Sequence, residues 1–388
     1  MVQRTKSLNV AVVGAGITGL TLAAALRRAG VDCEVYERTP AFGRIGAGIQ
    51  LAPNATRLLH QLGLADPLSR VAVRSTAIEV RSGETGALSG RVPLDDCEDR
   101  FGAPYCLLTR ADLHSLLASA VPEGTVRFGK ACQSLDETPE GVEIRFTDGT
   151  SARADVVVGA DGIRSGVRQG RVRDEPVYSG LSVHRGLVPT DRLPSFFGEP
   201  RSTLWSGEGK HFVSYPVAAG RLVNFVATLP ARQWHAESWS EPGEVADVAA
   251  AFADWDEALH TLITAAESVT RWALHTRNAD LPWSTHRTTL AGDAAHPMLP
   301  FMAQGANQGI EDAFALASAL AGGDPTDPAG ALRRYEHARR PRALMVQQMS
   351  AGAARSFHAP DGDTTVVDAL GALTDLFAHD AELLEPSP

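Results

Sequence analysis

Cysteine is scarce in this chain, with four residues in 388: Cys33, Cys97, Cys106 and Cys132. None forms a CxxC pair or a zinc-type spacing. Neither a disulfide scaffold nor a metal site is expected, and the four read as reduced, mostly buried thiols of a cytoplasmic protein. Basic residues are outnumbered, 36 Lys and Arg against 46 Asp and Glu, for a net charge of −10. That balance argues against nucleic acid as a partner and does not favour an anionic membrane surface. No apolar run reaches the roughly 18 residues of a membrane span, and the N-terminus lacks the apolar core of a signal peptide. There is no internal repeat and no low-complexity tract. What remains is a soluble enzyme of one or two domains with a sizeable core, and a homodimer is compatible with that reading.

The chain does contain two glycine-punctuated motifs at opposite ends. Leu8-Asn9-Val10-Ala11-Val12-Val13 is a short apolar run of strand type, followed at once by Gly14-Ala15-Gly16-Ile17-Thr18-Gly19. A helix-like segment then runs from Leu20 to Gly30, and Cys33-Glu34-Val35-Tyr36 reads as a second strand ending at Glu37 and Arg38. This is the βαβ dinucleotide fingerprint in its required context. Gly14 allows the tight turn, Gly16 lets a pyrophosphate approach, Gly19 permits close helix packing, and Glu37 sits where an acid binds the adenosine ribose.

The second motif runs from Ala291 to Asn307, just ahead of a helix-like segment at 308–317. Its order suits a cofactor that is polar along its chain and flat at its reactive end. Asp293 can accept hydrogen bonds from sugar-like hydroxyls, while Pro297 and Pro300 stiffen a wall and remove backbone donors. Gly305, in a Gly-Ala-Asn turn, lets backbone amides approach, and the N-terminus of the helix that follows offers partial positive charge to an electron-rich ring.

Between the motifs the character of the chain changes. Residues 154–162 read as a buried strand running into an Asp161-Gly162 turn, and Val142 to Phe146 as a half-buried hairpin strand. The region from Pro176 to Trp272 is rich in strand-forming runs and holds five of the six tryptophans. Glu244 to Ala266 looks helical, and Ala329 to Met349 reads as a long helix whose cluster of Arg333, Arg334, Arg339, Arg340 and Arg342 is expected to be a solvated face. A discontinuous dinucleotide domain follows (1–75, 101–175 and 273–350), interrupted by a substrate-binding sheet domain (76–100 and 176–272). Residues 351–388 are expected to be peripheral.

The chain resembles the single-component FAD-dependent aromatic monooxygenases, similar to salicylate, 3-hydroxybenzoate and 6-hydroxynicotinate hydroxylases. The resemblance extends to about Ser350 and rests on three motifs in order: Gly14 to Gly19, Gly159-Ala160-Asp161-Gly162-Ile163-Arg164-Ser165, and the Gly292-Asp293 run. It implies an α/β fold, with a Rossmann-like FAD-binding domain of the p-hydroxybenzoate hydroxylase type, an interleaved β-sheet substrate domain and C-terminal helices. It assigns Gly14, Gly16, Thr18, Gly19, Glu37, Arg38, Arg44, Arg110, Asp161, Asp293, Gly305, Ala306 and Asn307 to the cofactor. Pro300 would lie beside the reactive flavin carbon. An NAD dehydrogenase has no use for the distant cradle, and no second complete GxGxxG run is present, so NAD(P)H is expected as a transient reductant. The implied reaction is insertion of an oxygen atom from O2 into a small aromatic acid through a flavin hydroperoxide, with or without decarboxylation.

Attack on an aromatic ring is easier when a phenol is ionised, so a base or polar relay is expected. Strand periodicity puts His211, Val213 and Tyr215 on one face, His211 and Tyr215 about 13 Å apart. His suits proton acceptance near neutrality and Tyr suits donation or relay. Where the hydroxynicotinate branch carries a histidine this chain has Gln50, which can hydrogen-bond a substrate but cannot act as a base. That departure, with Phe301 after Pro300, points to a hydroxy- or amino-hydroxybenzoate. Arg185 could pair with a substrate carboxylate, although an arginine entering a sheet domain is more often structural or cofactor-facing. A larger natural-product substrate, a halogenase or double-bond reductase, and a non-catalytic flavin-binding redox sensor are the alternatives. Against a halogenase, Trp205, Trp234, Trp239 and Trp283 do not form its Trp-x-Trp-x-Ile-Pro signature.

Overall fold

A computed structural model of the protein describes residues 8–43, 47–172, 174–231, 240–278, 280–358 and 365–381. The first apolar run forms the strand Asn9–Val13, whose last four residues are all buried because the strand is covered on both faces. It is the centre of a five-stranded parallel sheet in the order Thr288–Leu290, Val156–Gly159, Asn9–Val13, Asp32–Glu37, Val126–Phe128. The helix Ile17–Arg28 is rich in Ala and Leu, carries Arg27 and Arg28 in its last turn, and stops before Gly30 at φ 75°. It packs against the helix Gly305–Ala321, so the two motifs at the chain's ends become neighbours.

An eight-stranded sheet holds Ser240–Gly243, Val269–Thr276, Val177–Pro189, Leu222–Pro230, Lys210–Val217, Arg201–Gly207, Ala77–Ser82 and Leu88–Pro93, in that order. All its pairings are antiparallel except Arg201–Gly207 beside Ala77–Ser82. One face packs Trp205, Phe212 and Phe225 against Val248, Phe252 and Leu259 of the helices Val245–Ala251 and Glu257–Thr264. Period-two alternation therefore sends Leu204, Val213 and Tyr215 to the opposite face. The architecture is the expected α/β one, a parallel dinucleotide-type sheet with a second, interleaved sheet.

Two expectations are corrected. Arg339 is not on a solvated face: it is 1% exposed and pairs with Glu311 at 2.5 Å and Asp312 at 2.8 Å. The reason is that the helix Pro328–Phe357 packs along Gly305–Ala321, whose own acids are fully buried. Nor are the described residues after 350 peripheral. Phe357, Val366, Leu370, Leu373 and Phe377 join the same apolar cluster as Tyr215 and Phe301. From Val366 onward their spacing of four, three and four residues is a helical stripe, which buries against the sheet.

Candidate active site

A cavity of about 680 Å³ is walled by residues of both large sheets and of the C-terminal helices. At one end the glycines act by sterics. Gly14 has φ 104°, and a Cβ there would stand 2.5 Å from the Ala160 carbonyl oxygen. A Cβ on Gly19 would fall 1.9 Å from the Gly14 oxygen, whereas one on Gly16 would meet nothing within 4 Å. Gly14 and Gly19 thus permit close packing, and Gly16 leaves open space in the cavity wall. The helix Ile17–Arg28 begins there with no side-chain cap, so its first amides are free for an anion.

Glu37 accepts from Ala15 N at 2.9 Å, Thr39 N at 2.9 Å and Thr39 Oγ1 at 3.0 Å. That leaves about one of a carboxylate's roughly four acceptor sites toward the cavity. Arg38 and Arg110 are exposed on the wall and Thr18 is half-buried there, while Arg44 lies outside the described residues. Asp161 accepts from Gly166 N at 2.8 Å and Val167 N at 3.3 Å, which closes its turn; burial pushes its carboxyl up against these bonds. Asp293 presents its carboxylate to the cavity with no protein hydrogen bond among the described residues. A Cβ on Gly305 would sit 3.9 Å from Asp293 Oδ1, so the acid and the second helix start are adjacent. Pro300 opens a single turn that ends at Ala303, held in the left-handed region at φ 50°. Ala306 lines the cavity beside them, but Asn307 does not. Its side chain is consumed instead by Ala52 N at 2.9 Å, Gln50 O at 3.2 Å and Ala303 O at 2.7 Å, clamping the strand that carries Gln50.

The other end is lined by side chains of the eight-stranded sheet. Cross-strand register sets Arg185, Val226, Val213 and Leu204 in one row, with His211 and Thr228 in a neighbouring one. Gly48 N donates to Asn224 Oδ1 at 2.8 Å, and a Cβ on Gly48 would meet that side chain at 2.5 Å. This close approach lays the strand Gly48–Leu51 against the sheet and brings Gln50 to Tyr215. Tyr105 donates to Gln50 Oε1 at 2.9 Å. Burial pushes the Tyr215 hydroxyl up to about 12, against the pull of Arg185 and a hydrogen bond with Gln50. Arg185 stands over the Trp272 ring at 5.0 Å, its Nε has no hydrogen-bond partner, and no carboxylate pairs with it among the described residues. Enclosure by protein lowers its basicity, and its remaining exposure is on the cavity wall.

His211 and Tyr215 do share the cavity, as expected from their periodicity. Both His211 nitrogens, however, are engaged: Nδ1 with His358 Nε2 at 2.8 Å, and Nε2 with Thr228 Oγ1 at 3.0 Å. Burial, and then the neighbouring His358, push its pKa well below the ordinary range, so it does not store a proton near neutrality. Sequence reasoning missed Tyr105, Thr228, Phe357 and His358. Thr228 was within reach, since Asn224, Val226 and Thr228 alternate along one strand. His358 carried no local signal.

A dinucleotide-type cradle joined to an enclosed, partly aromatic chamber defines a flavin-dependent oxidoreductase. The chain matches the FAD binding domain family over residues 7–350 and belongs to it. It is 51% identical over 355 residues to a 3-amino-4-hydroxybenzoate 2-monooxygenase of Streptomyces platensis, covering 91% of this chain and 89% of that one. A 6-hydroxynicotinate 3-monooxygenase of Bordetella bronchiseptica is 37% identical, with 88% and 90% covered. Among solved structures, a salicylate hydroxylase in complex with substrate superposes at a TM-score of 0.83 and 28% identity, over 97% of this chain and 96% of that one. The protein is therefore an FAD-dependent aromatic monooxygenase of the single-component type, with NAD(P)H as reductant. No helix among the described residues is long and apolar enough to cross a membrane.

Proposed function

We propose that this enzyme hydroxylates an amino-hydroxybenzoate, with 3-amino-4-hydroxybenzoate as the first candidate. The observation that carries the reading is Arg185, an enclosed guanidinium on the chamber wall with no carboxylate of the described residues beside it. A buried cation without a partner is costly, and a planar carboxylate offers the fork geometry that relieves it. Val213, Val226 and Leu204 give the ring an apolar floor, and the Tyr215–Gln50–Tyr105 group supplies donors and acceptors for ring hydroxyl or amino substituents. The relatives named for 3-amino-4-hydroxybenzoate support this choice over 6-hydroxynicotinate, as does Gln50 in place of an imidazole.

Bound FAD supplies the oxygen chemistry; the protein supplies binding, orientation and exclusion of water. In this assignment Gly16, the start of Ile17–Arg28 and Arg110 hold the pyrophosphate, Glu37 with Arg38 the adenosine end, and Asp293 the ribityl chain. Pro300, Gly305 and Ala306 border the ring. We place the cofactor half in residues 1–75, 101–175 and 273–350, and the enzyme in the cytoplasm. The test is to incubate the holoenzyme with NAD(P)H and 3-amino-4-hydroxybenzoate and identify the product by mass. A gain of one oxygen at ring carbon 2, with coupled NAD(P)H use, is expected. NAD(P)H oxidation unaffected by any aminohydroxybenzoate would refute the assignment.

A further inference from the structure

The end of the chain returns to the chamber and walls it. Two short helices, Thr365–Gly371 and Thr374–Phe377, carry the stripe Val366, Leu370, Leu373 and Phe377, each 3% exposed or less. Among the described residues after Phe357, only Leu370 and Leu373 in the middle of the stripe line the cavity. The flanks are anchored in protein instead. Val367 fits over Gly90, where a Cβ would stand 2.3 Å from Val367 Cγ2. Phe377 meets Phe101 edge to face at 5.6 Å and Tyr105 at 5.9 Å. Arg57 donates to the carbonyls of Phe377 at 3.5 Å and His379 at 2.6 Å, and Arg342 to that of Leu376 at 3.0 Å. This wall is therefore held on both sides of the two leucines, and what it shows the chamber is wholly apolar.

We propose that Leu370 and Leu373 are specificity-determining residues, which limit the chamber to a single ring and receive the C5–C6 edge of the substrate. The proposal rests on the 3-amino-4-hydroxybenzoate reading above. That acid carries polar groups at C1, C3 and C4 and takes its oxygen at C2. The C5–C6 edge is thus its one pair of adjacent carbons that neither bears a polar group nor reacts. A polar group set against two leucines would give up its hydrogen bonds to water and gain none, whereas a C–H edge gives up nothing. The other walls offer what the remaining positions need: a cation at Arg185, and hydrogen-bonding groups at Gln50 and Tyr215. The apolar row of Leu204, Val213 and Val226 takes a face of the ring rather than an edge. Size follows from packing. Both leucines sit in a close-packed cluster with Phe301 and Phe357, so a longer ring system meets side chains that have nowhere to move.

The experiment uses FAD-loaded wild type, Leu373→Ala, the double variant Leu370→Ala/Leu373→Ala, and Leu373→Trp, with equal flavin content checked first. Each is titrated, through the change in flavin absorbance, with 3-amino-4-hydroxybenzoate and with 3-amino-4-hydroxy-1-naphthoate. The second acid keeps every polar group and extends only the C5–C6 edge. Each truncation removes about three carbon atoms, and the fused ring adds about four. The Kd ratio should move toward the naphthoate by about 10-fold in Leu373→Ala and about 100-fold in the double variant, with oxygenated naphthoate found by mass. Leu373→Ala decides the matter alone if the double variant loses its flavin. Leu373→Trp should bind the single-ring acid about 10-fold more weakly at unchanged flavin content. A merely structural loss would weaken both acids alike. An unchanged ratio in the truncated variants, or tight binding of the naphthoate by the wild type, would overturn the proposal. If the wild type binds no 3-amino-4-hydroxybenzoate, the substrate reading fails by itself. The single-ring limit is then read from salicylate against 3-hydroxy-2-naphthoate, and stands or falls on the same shift.

Discussion

The two ends of the cavity are built by different means. At the cofactor end the decisive features are backbone ones: missing Cβ atoms at Gly14 and Gly19, open space at Gly16, and the uncapped start of Ile17–Arg28. At the substrate end they are side chains brought together by sheet register, with Arg185, His211 and Gln50 arriving from three separate strands. A backbone cradle tolerates no added atom, whereas a side-chain chamber can be retuned one group at a time. Substitutions should therefore behave as near-total losses at the first end and as graded changes at the second.

The largest effect is expected for Gly19→Ala. Its Cβ would stand 1.9 Å from the Gly14 oxygen, in backbone that cannot yield without opening the strand–helix turn. The purified variant should carry little or no FAD and should unfold earlier. Full flavin content, read from the absorbance ratio of flavin to protein, would show that the cradle is more forgiving than its geometry. Glu311→Ala comes next and acts on both ends, because Glu311 binds Asn54 at 2.6 Å, Arg339 at 2.5 Å and Arg342 at 2.7 Å. Removing it leaves the buried Arg339 with Asp312 alone and takes the carboxylate from the partly buried Arg342, a change that costs about 3–5 kcal/mol.

The same network fixes a pH dependence. Burial alone would raise the Glu311 and Asp312 carboxyls, but Arg339 with Arg342, and His296 with Arg339, pull both down to about 2. Their folded values lie below their unfolded ones, near 4. The stability they contribute is thus present above about pH 4 and lost as pH falls from there toward 2. Thermal midpoints from pH 6 to 2.5 should drop steeply for the wild type and less for Glu311→Gln. Parallel curves would remove Glu311 from the acid response.

This contrast also governs what the sequence made legible. The fingerprint from Asn9 to Glu37 is local, so each glycine could be given its task from spacing alone. Asp293 and Gly305 were readable for the same reason, twelve residues apart in one run. Asn307 was misplaced because its side chain answers to Ala52 and Gln50, some 255 residues away. His358 and Tyr105 were missed because their partners lie 147 and 55 residues distant, and nothing in their own neighbourhoods marks them. Arg339 was read as solvated because helix periodicity does not show that a neighbouring helix carries two buried acids.

Within the chamber, Arg185→Met should weaken binding of carboxylate substrates by roughly 10- to 100-fold, the worth of about 1.5–3 kcal/mol for a charge-assisted hydrogen bond. Flavin content should be unchanged, since Arg185 makes no contact that the cradle depends on. The discriminating measurement is the KM for 3-amino-4-hydroxybenzoate against that for 2-aminophenol, which lacks the carboxylate. The variant should prefer the acid over 2-aminophenol far less than the wild type does, and equal penalties on both compounds would mean that Arg185 faces the cofactor.

The smallest effect is expected for Tyr105→Phe. It deletes one neutral hydrogen bond, to Gln50 Oε1 at 2.9 Å, and leaves the ring packed against Phe377 at 5.9 Å. A bond of that kind contributes about 0.5–1.5 kcal/mol. Gln50 would keep Tyr215 as a neighbour but lose the anchor that fixes its amide plane. A shift of a few-fold in KM, with normal flavin content and an unfolding midpoint within a few degrees of wild type, is therefore predicted. A loss as large as that of Arg185→Met would mean that the chamber, like the cradle, depends on a rigid frame, with Gln50 held by Tyr105 as part of it.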